Sequence, residues 1–264
     1  MRLAKKLAPP GVGGLAFVAC ALLAGCAAPA PPAPRVVVIA TGDSTRALAE
    51  RLAALYASRA EGVRIQLRPG NAASAITAVQ RGDADLALID RQPPESAGLR
   101  AVEVAREPVA IIANPANPIA NASTELLSQV YGGQLRDWSE AGGPPGAIVV
   151  LTREEGDGSR ATLERVALGG RSVTATALLA PSEAIMIARV AASPTAIGYV
   201  GLGAVTSAVK VVPVNNLLPS TDGGYVLVRP IVLVIPANAS ADAAGIAALA
   251  AGPEGRAVLI GLTR

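Results

Sequence analysis

The sequence predicts an α/β protein, and three observations carry that expectation. Short β-branched runs alternate with Ala/Leu-rich amphipathic stretches, as strands followed by helices do and as all-α or all-β chains do not. The 264 residues are 51% hydrophobic and 16% charged, enough for a sizeable core in one large domain or two modest lobes. Small and hydroxyl residues recur between strand ends and helix starts, where capping chemistry wants them.

The elements follow in order. Val36 to Ala40 reads as a buried strand, Thr41 to Thr45 as a turn, and Arg46 to Ser58 as a helix with Leu48, Leu52, Leu55 and Tyr56 on one stripe. A strand at Val63 to Leu67, a loop at Pro69-Gly70-Asn71, a helix from Ala73 to Arg81 and a strand at Leu86 to Ile89 repeat the unit. Pro108 to Ala113 is the next strand. It runs into Asn114 to Pro118, whose prolines stop regular pairing and mark a crossing between lobes. Ser123 or Thr124 starts a helix through Val130 that Gly132-Gly133 ends, and a strand at Ala147 to Leu151 leads into Arg153 to Ser159. Helices at Arg160 to Leu168 and Glu183 to Ala192, then Ala196 to Val200, complete this part. The chain returns through Tyr225 to Pro230, forms a strand at Ile231 to Ile235, and ends in helices at Ala241 to Ala251 and Glu254 to Leu262.

Composition removes several functions. Histidine is absent, which excludes Ser-His-Asp and Cys-His catalysis, histidine metal sites and imidazole proton shuttles. Arg2, Lys5 and Lys6 precede an apolar run from Leu15 to Leu23, the layout of a secretory signal at residues 1–25. That run is about half the ~20 residues a spanning helix needs. Leu23-Ala24-Gly25-Cys26 resembles a bacterial lipobox, so Cys26 is expected to carry a lipid that holds the protein outside the cytoplasm on the membrane. Without Arg2, Lys5 and Lys6, the 23 basic residues fall to the same number as the 20 acidic ones, so the formal charge of +3 gives no reason to expect a nucleic-acid partner. Cys20 leaves with the signal, so Cys26 has no disulfide partner. The Pro/Ala stretch to Pro34 is a tether.

Three loops are candidate anion sites: Gly42 to Thr45, Gly70 to Ser74, and Gly156 to Ser159 preceded by Arg153. Free backbone N–H groups and the positive end of a helix dipole favour an anion there, and arginine offers a planar fork of donors. The same residues are also ordinary N-caps, so each loop alone says little.

Several segments, in order, resemble the substrate-binding lipoproteins of bacterial phosphate ABC transporters. They are Gly42 to Thr45, Gly82 to Asp90, Pro108 to Pro115, Tyr131 to Trp138, Arg153 to Thr162, Ala196 to Val200 and Val228-Arg229-Pro230. The resemblance covers essentially all of the chain after the tether. It implies a type II periplasmic-binding-protein fold, each lobe a mixed sheet flanked by helices, with the solute in the cleft between them. The implied lobes are 35–112 with 229–264, and 113–228, hinged at Asn114 to Pro118 and before Arg229. By the same resemblance Ser44 and Thr45 donate to the ligand, Asp90 accepts its proton, Arg153 clamps it, and Asp157, Gly158 and Ser159 stand at the family's Ser-Gly-Thr. Two departures stand out: Ala72 and Asp157 replace serines, Ser74 or Asn71 being a substitute donor for the first. Asp157 either adds a repulsive carboxylate, neutralised by Arg153 or Arg160, or caps the following helix.

The implied function is non-enzymatic capture of a small oxyanion, inorganic phosphate, by a monomer that delivers it to an ABC permease without cofactor or metal. The alternative is the same fold with another solute, or a sensory or adhesive lipoprotein. Gly42-Asp43-Ser44 also resembles the nucleophile block of Gly-Asp-Ser hydrolases, but no histidine base is present to activate the serine.

Overall fold

A computed structural model describes residues 33–95 and 98–260; the signal, the lipidated Cys26 and most of the tether lie outside them. From Pro34 onward the chain forms one compact unit. The strands are β1 (Arg35–Gly42), β2 (Val63–Gly70), β3 (Leu86–Ile89), β4 (Leu99–Ala113), β5 (Val149–Thr152), β6 (Leu178–Leu179), β7 (Ala196–Gly201), β8 (Lys210–Val212) and β9 (Val228–Pro236). The helices are α1 (Arg46–Ala57), α2 (Ala72–Arg81), α3 (Thr124–Tyr131), α4 (Gly158–Val166), α5 (Glu183–Ala192), α6 (Ala241–Ala251) and α7 (Pro253–Ile260).

The strands form a mixed sheet in the order β2-β1-β3-β9-β4-β7-β5-β6, with β8 also on β4. β1 pairs parallel with β2 and β3, and β5 with β6 and β7, while β9 and β4 run antiparallel to their neighbours. Both faces are covered, so the central strands are apolar throughout and successive residues feed opposite cores. Ile39 and Leu88 join the core under α1, α6 and α7, while Ala40 and Ile89 join the one under α2. In β4, Val109, Ile111 and Ala113 face the core of α3 and Trp138, whereas Ala110 and Ile112 face that of α5.

β4 is the element the sequence reading shortened most. It begins at Leu99, not Pro108, and pairs with β9 from Leu99↔Pro236 to Pro108↔Val228 around a bulge at Glu103/Ala105. Arg100, Glu103 and Arg106 point to solvent there and hide the strand from a search for apolar runs. From Val109 on, β4 pairs with β7 and β8. The chain therefore passes from one part of the sheet to the other at Pro108–Val109, beside its return at Leu227–Val228, where Val109 N–H donates to Leu227 O at 2.7 Å. Asn114 to Pro118, expected as the hinge, lies beyond this crossing. Asn114 is tied there to Ala191 O at 2.7 Å and Asn117 to Pro194 O at 3.0 Å.

Other differences are local. β2 runs through Pro69 and Gly70, tolerated because an edge strand leaves proline's missing donor unneeded. α4 starts earlier and β5 starts later than expected, and the short β6 and β8 carry too little pattern to be seen.

Candidate functional site

The starts of α1 and α4 meet at Asp90, which follows β3, and the start of α2 lies against the loop that precedes α4. Ser44, in the loop before α1, donates its hydroxyl to Asp90 Oδ2 at 2.7 Å. Gly158 opens α4 against Asp90 so tightly that an added Cβ would lie 2.2 Å from the Asp90 carbonyl oxygen. At the start of α2, Asn71 Nδ2 reaches Glu154 Oε1 and Glu155 O, both at 3.3 Å. Helix starts leave N–H groups unpaired by the helix itself and carry positive dipole ends, which favour negative charge here.

Each expected site residue has a definite place. Thr45 is fully buried and turned inward: its hydroxyl donates to Leu88 O at 2.8 Å and accepts from Gly42 N–H at 3.1 Å, bracing the loop. Ser74 forms a capping box with Asn71, accepting from Asn71 N–H at 2.9 Å. Asp157 is the N-cap of α4: Oδ1 accepts from Ser159 N–H at 2.9 Å and Arg160 N–H at 3.0 Å. Its other oxygen takes Arg153 Nε at 3.0 Å. Asp157 thus caps α4, as one of the two readings of the sequence had it, and is at the same time neutralised by Arg153. Arg153 also donates to Ala180 O at 3.2 Å and has Asp43 3.7 Å from its other terminal nitrogen. Tyr199, packed in the core of α3 and Trp138, also positions Arg153: its hydroxyl accepts from Arg153 N–H at 3.0 Å. Ser159 accepts from Arg229.

Arg229 is the residue the sequence reading left out of the site. Fully buried on β9, it binds Asp90 at 2.9 Å, Glu107 at 2.5 Å and Glu183 at 3.5 Å, besides Ser159. Its partners come from β3, β4, α4 and α5, so a single guanidinium ties both parts of the sheet together. A lone arginine inside the apolar run Tyr225 to Ile235 was the signal that could have found it. Asp43 was missed too; it accepts Glu183 N–H at 3.1 Å and so caps α5 from across the cleft.

Carboxylates outnumber arginines here, which shows in their proton affinities. Burial raises the Asp90 pKa despite Arg229, with Asp157 adding to the rise. Burial pushes Glu183 up to about 7, again opposed by Arg229 and reinforced by Glu107. Burial also disfavours the charge of Arg229, but Glu107, Asp90 and Glu183 outweigh it and hold its pKa above the usual arginine value. Burial likewise opposes Arg153, and Asp157, Asp43 and Glu183 together outweigh it. The arrangement is chemically a protonatable, charge-paired cluster in which protein carboxylates occupy the arginines. Among the described residues no cluster of acidic or cysteine side chains is arranged to hold a metal ion, and no helix is long and apolar enough to cross a membrane.

Residues 28–251 match a family model described as a PBP superfamily domain. A phosphate-binding protein of Bacillus subtilis is 26% identical over 54% of this chain and 49% of its own length, and one from Borreliella burgdorferi is 22% identical over 52% and 54%. The chain thus spans about half the length of the curated relatives it matches. Among solved structures, a putative phosphate ABC transporter substrate-binding protein with bound phosphate from Clostridium perfringens superimposes with a TM-score of 0.81 at 21% identity. That match covers 87% of this chain and 98% of that one. An ABC-type phosphate transport receptor from Vibrio cholerae gives 0.74 at 25% identity, covering 86% and 98%.

Proposed function

The chain belongs to the PBP superfamily, and on that premise we propose that it is the extracytoplasmic solute-binding protein of an ABC importer, capturing inorganic phosphate. The observation that carries this reading is the meeting of the α1 and α4 starts at Asp90, with Arg153 held to the Asp157 cap of α4. Relatives named as phosphate-binding proteins support the choice of anion.

The strands on the β1 side of the Pro108–Val109 crossing and those on the β7 side act as two lobes. Ligand joins them and shifts the population toward the closed form. Asp90, ionised beside Arg229, accepts a hydrogen bond from the proton that hydrogen phosphate still carries. The anion shares Arg153 with Asp157, and Ser44 and Ser159 supply hydroxyls. The protein performs no chemistry on its ligand, and a lipid on Cys26 holds it at the membrane beside its permease.

Calorimetric titration of the purified chain with phosphate at pH 6 and pH 8, with sulfate as control, tests this. Micromolar or tighter phosphate binding that disappears in Arg153→Ala is expected. A folded protein silent toward phosphate would overturn the reading. It would favour the second one, a sensory or adhesive lipoprotein or a receptor for another solute, to which the Asp157–Arg153 pair already lends weight.

A further inference from the structure

Beside this site lies a cavity of about 770 Å³ that takes walls from both parts of the molecule. Arg91, next to Asp90, and Arg106, on β4, line it from one part; Thr162 and Arg165, on α4, line it from the other. Arg229 touches it too, but its guanidinium is buried and spent on Glu107, Asp90 and Glu183.

The charge in this cavity differs from that of the central site. There, Arg153 and Arg229 are each held by carboxylates. Here the carboxylate of Glu103 is paired with Arg106 at 2.7 Å. Arg91 and Arg165 have no hydrogen bond or ion pair to any described residue. Two of the guanidiniums that line the cavity are therefore unneutralised among the described residues, each a fork suited to a carboxylate or phosphoryl group. Between them Val226, Val228 and Pro230 supply an apolar strip.

Size decides what fits. A cavity of this volume is in the ~300–1,000 Å³ range of small organic ligands. A phosphate ion fills the space of only a few waters, each taking about 30 Å³, and would leave most of that volume empty.

We propose that this cavity is a second ligand site, for an organic dianion with an anionic group at each end. One group pairs with Arg91 and the other with Arg165, and the carbon body lies on Val226, Val228 and Pro230. The site is separate from the phosphate reading and does not depend on it. Because the ligand touches both parts of the molecule, it favours the closed arrangement. Where phosphate binds as well, each ligand raises the affinity of the other by the same factor.

Titration of the purified full chain with glutarate, adipate and 3-phosphoglycerate, read by calorimetry and thermal unfolding, tests the proposal. One-to-one saturable binding by at least one probe is expected, weakened tenfold or more in Arg91→Gln and in Arg165→Gln, with saturating phosphate failing to displace it. Both substitutions change side chains that make no hydrogen bond or ion pair to a described residue, so these variants are expected to keep the wild-type unfolding temperature without ligand. The proposal is overturned if no probe binds by about 10 mM, weaker than the ~4 kcal/mol of a millimolar complex. Binding that survives the double Arg91→Gln/Arg165→Gln substitution overturns it as well. So does displacement by phosphate, which would make the cavity a mouth of the central site. Failure of the phosphate reading alone leaves these outcomes unchanged, since the probes report without phosphate.

Discussion

Arg153 holds Asp157 at 3.0 Å, so on the proposed phosphate reading the incoming charge must share or displace a carboxylate in a buried place. Removing one partner of a buried pair is normally costly because the other charge is left unpaired. At this position the ligand itself is the replacement partner. Serine caps helices about as well as aspartate, so Asp157→Ser keeps the start of α4 while removing a negative charge from the site. Phosphate affinity measured by calorimetry at pH 8 is expected to rise tenfold or more, roughly 1.4 kcal/mol. Unchanged affinity would show that Asp157 does not compete with the ligand for Arg153. The sequence made Arg153, Asp157 and Ser159 legible because they lie within one short loop. Glu107, Glu183 and Arg229 were not, because their meeting depends on β4, α5 and β9 coming together from distant parts of the chain.

The start of α4 shows how closely an element is fitted to its neighbour. An alanine at Gly158 would put its Cβ 2.3 Å from Asp90 Cγ and 2.2 Å from Asp90 O, and backbone cannot move aside as a flexible side-chain end can. Overpacking of this kind costs about 1–3 kcal/mol. Gly158→Ala is therefore expected both to lower the unfolding temperature and to weaken phosphate binding, since the helix can no longer seat against β3. Wild-type values for both would show that α4 and Asp90 are not in contact in solution. Helices with clear caps, such as α2, α5 and α6, were readable almost to the residue because Asn71, Ser182 and Ser240 announce them. α4 was read late because its cap is Asp157, a residue the family resemblance assigned to the ligand. The missed half of β4 has the opposite cause: its alternation is interrupted by the bulge at Glu103/Ala105 and by solvent-facing charges.

Across the whole molecule the excess of buried carboxylates gives folding an unusual dependence on pH. Glu183 rises from 4.5 to about 7 on folding, so between those values the folded chain binds more protons than the unfolded one. Stability must then fall as pH rises, the contribution being complete below about 4.5 and lost through about 7. Asp90, also raised, acts in the same direction. The lowered carboxyls, Asp137 and Asp242, held by hydrogen bonds from Ser139 and from Arg35, act in the opposite sense, but only at more acidic pH. Histidine, which usually dominates this window, is absent, so nothing from an imidazole masks the trend. A shift of this size corresponds to at most about 3 kcal/mol, and a chain of this length loses roughly 2–4 °C per kcal/mol. The unfolding temperature is expected to drop by several degrees between pH 5 and pH 8. Glu183→Gln keeps an acceptor for Gly201 N–H, which Glu183 now takes at 2.7 Å, and should flatten much of that slope. A wild-type profile that is flat or rises across this range would mean that the carboxylate of Glu183 is solvated and that the Arg229 network is open in solution. A falling profile left unchanged by Glu183→Gln would assign the proton to Asp90 instead, at the centre of the ligand site.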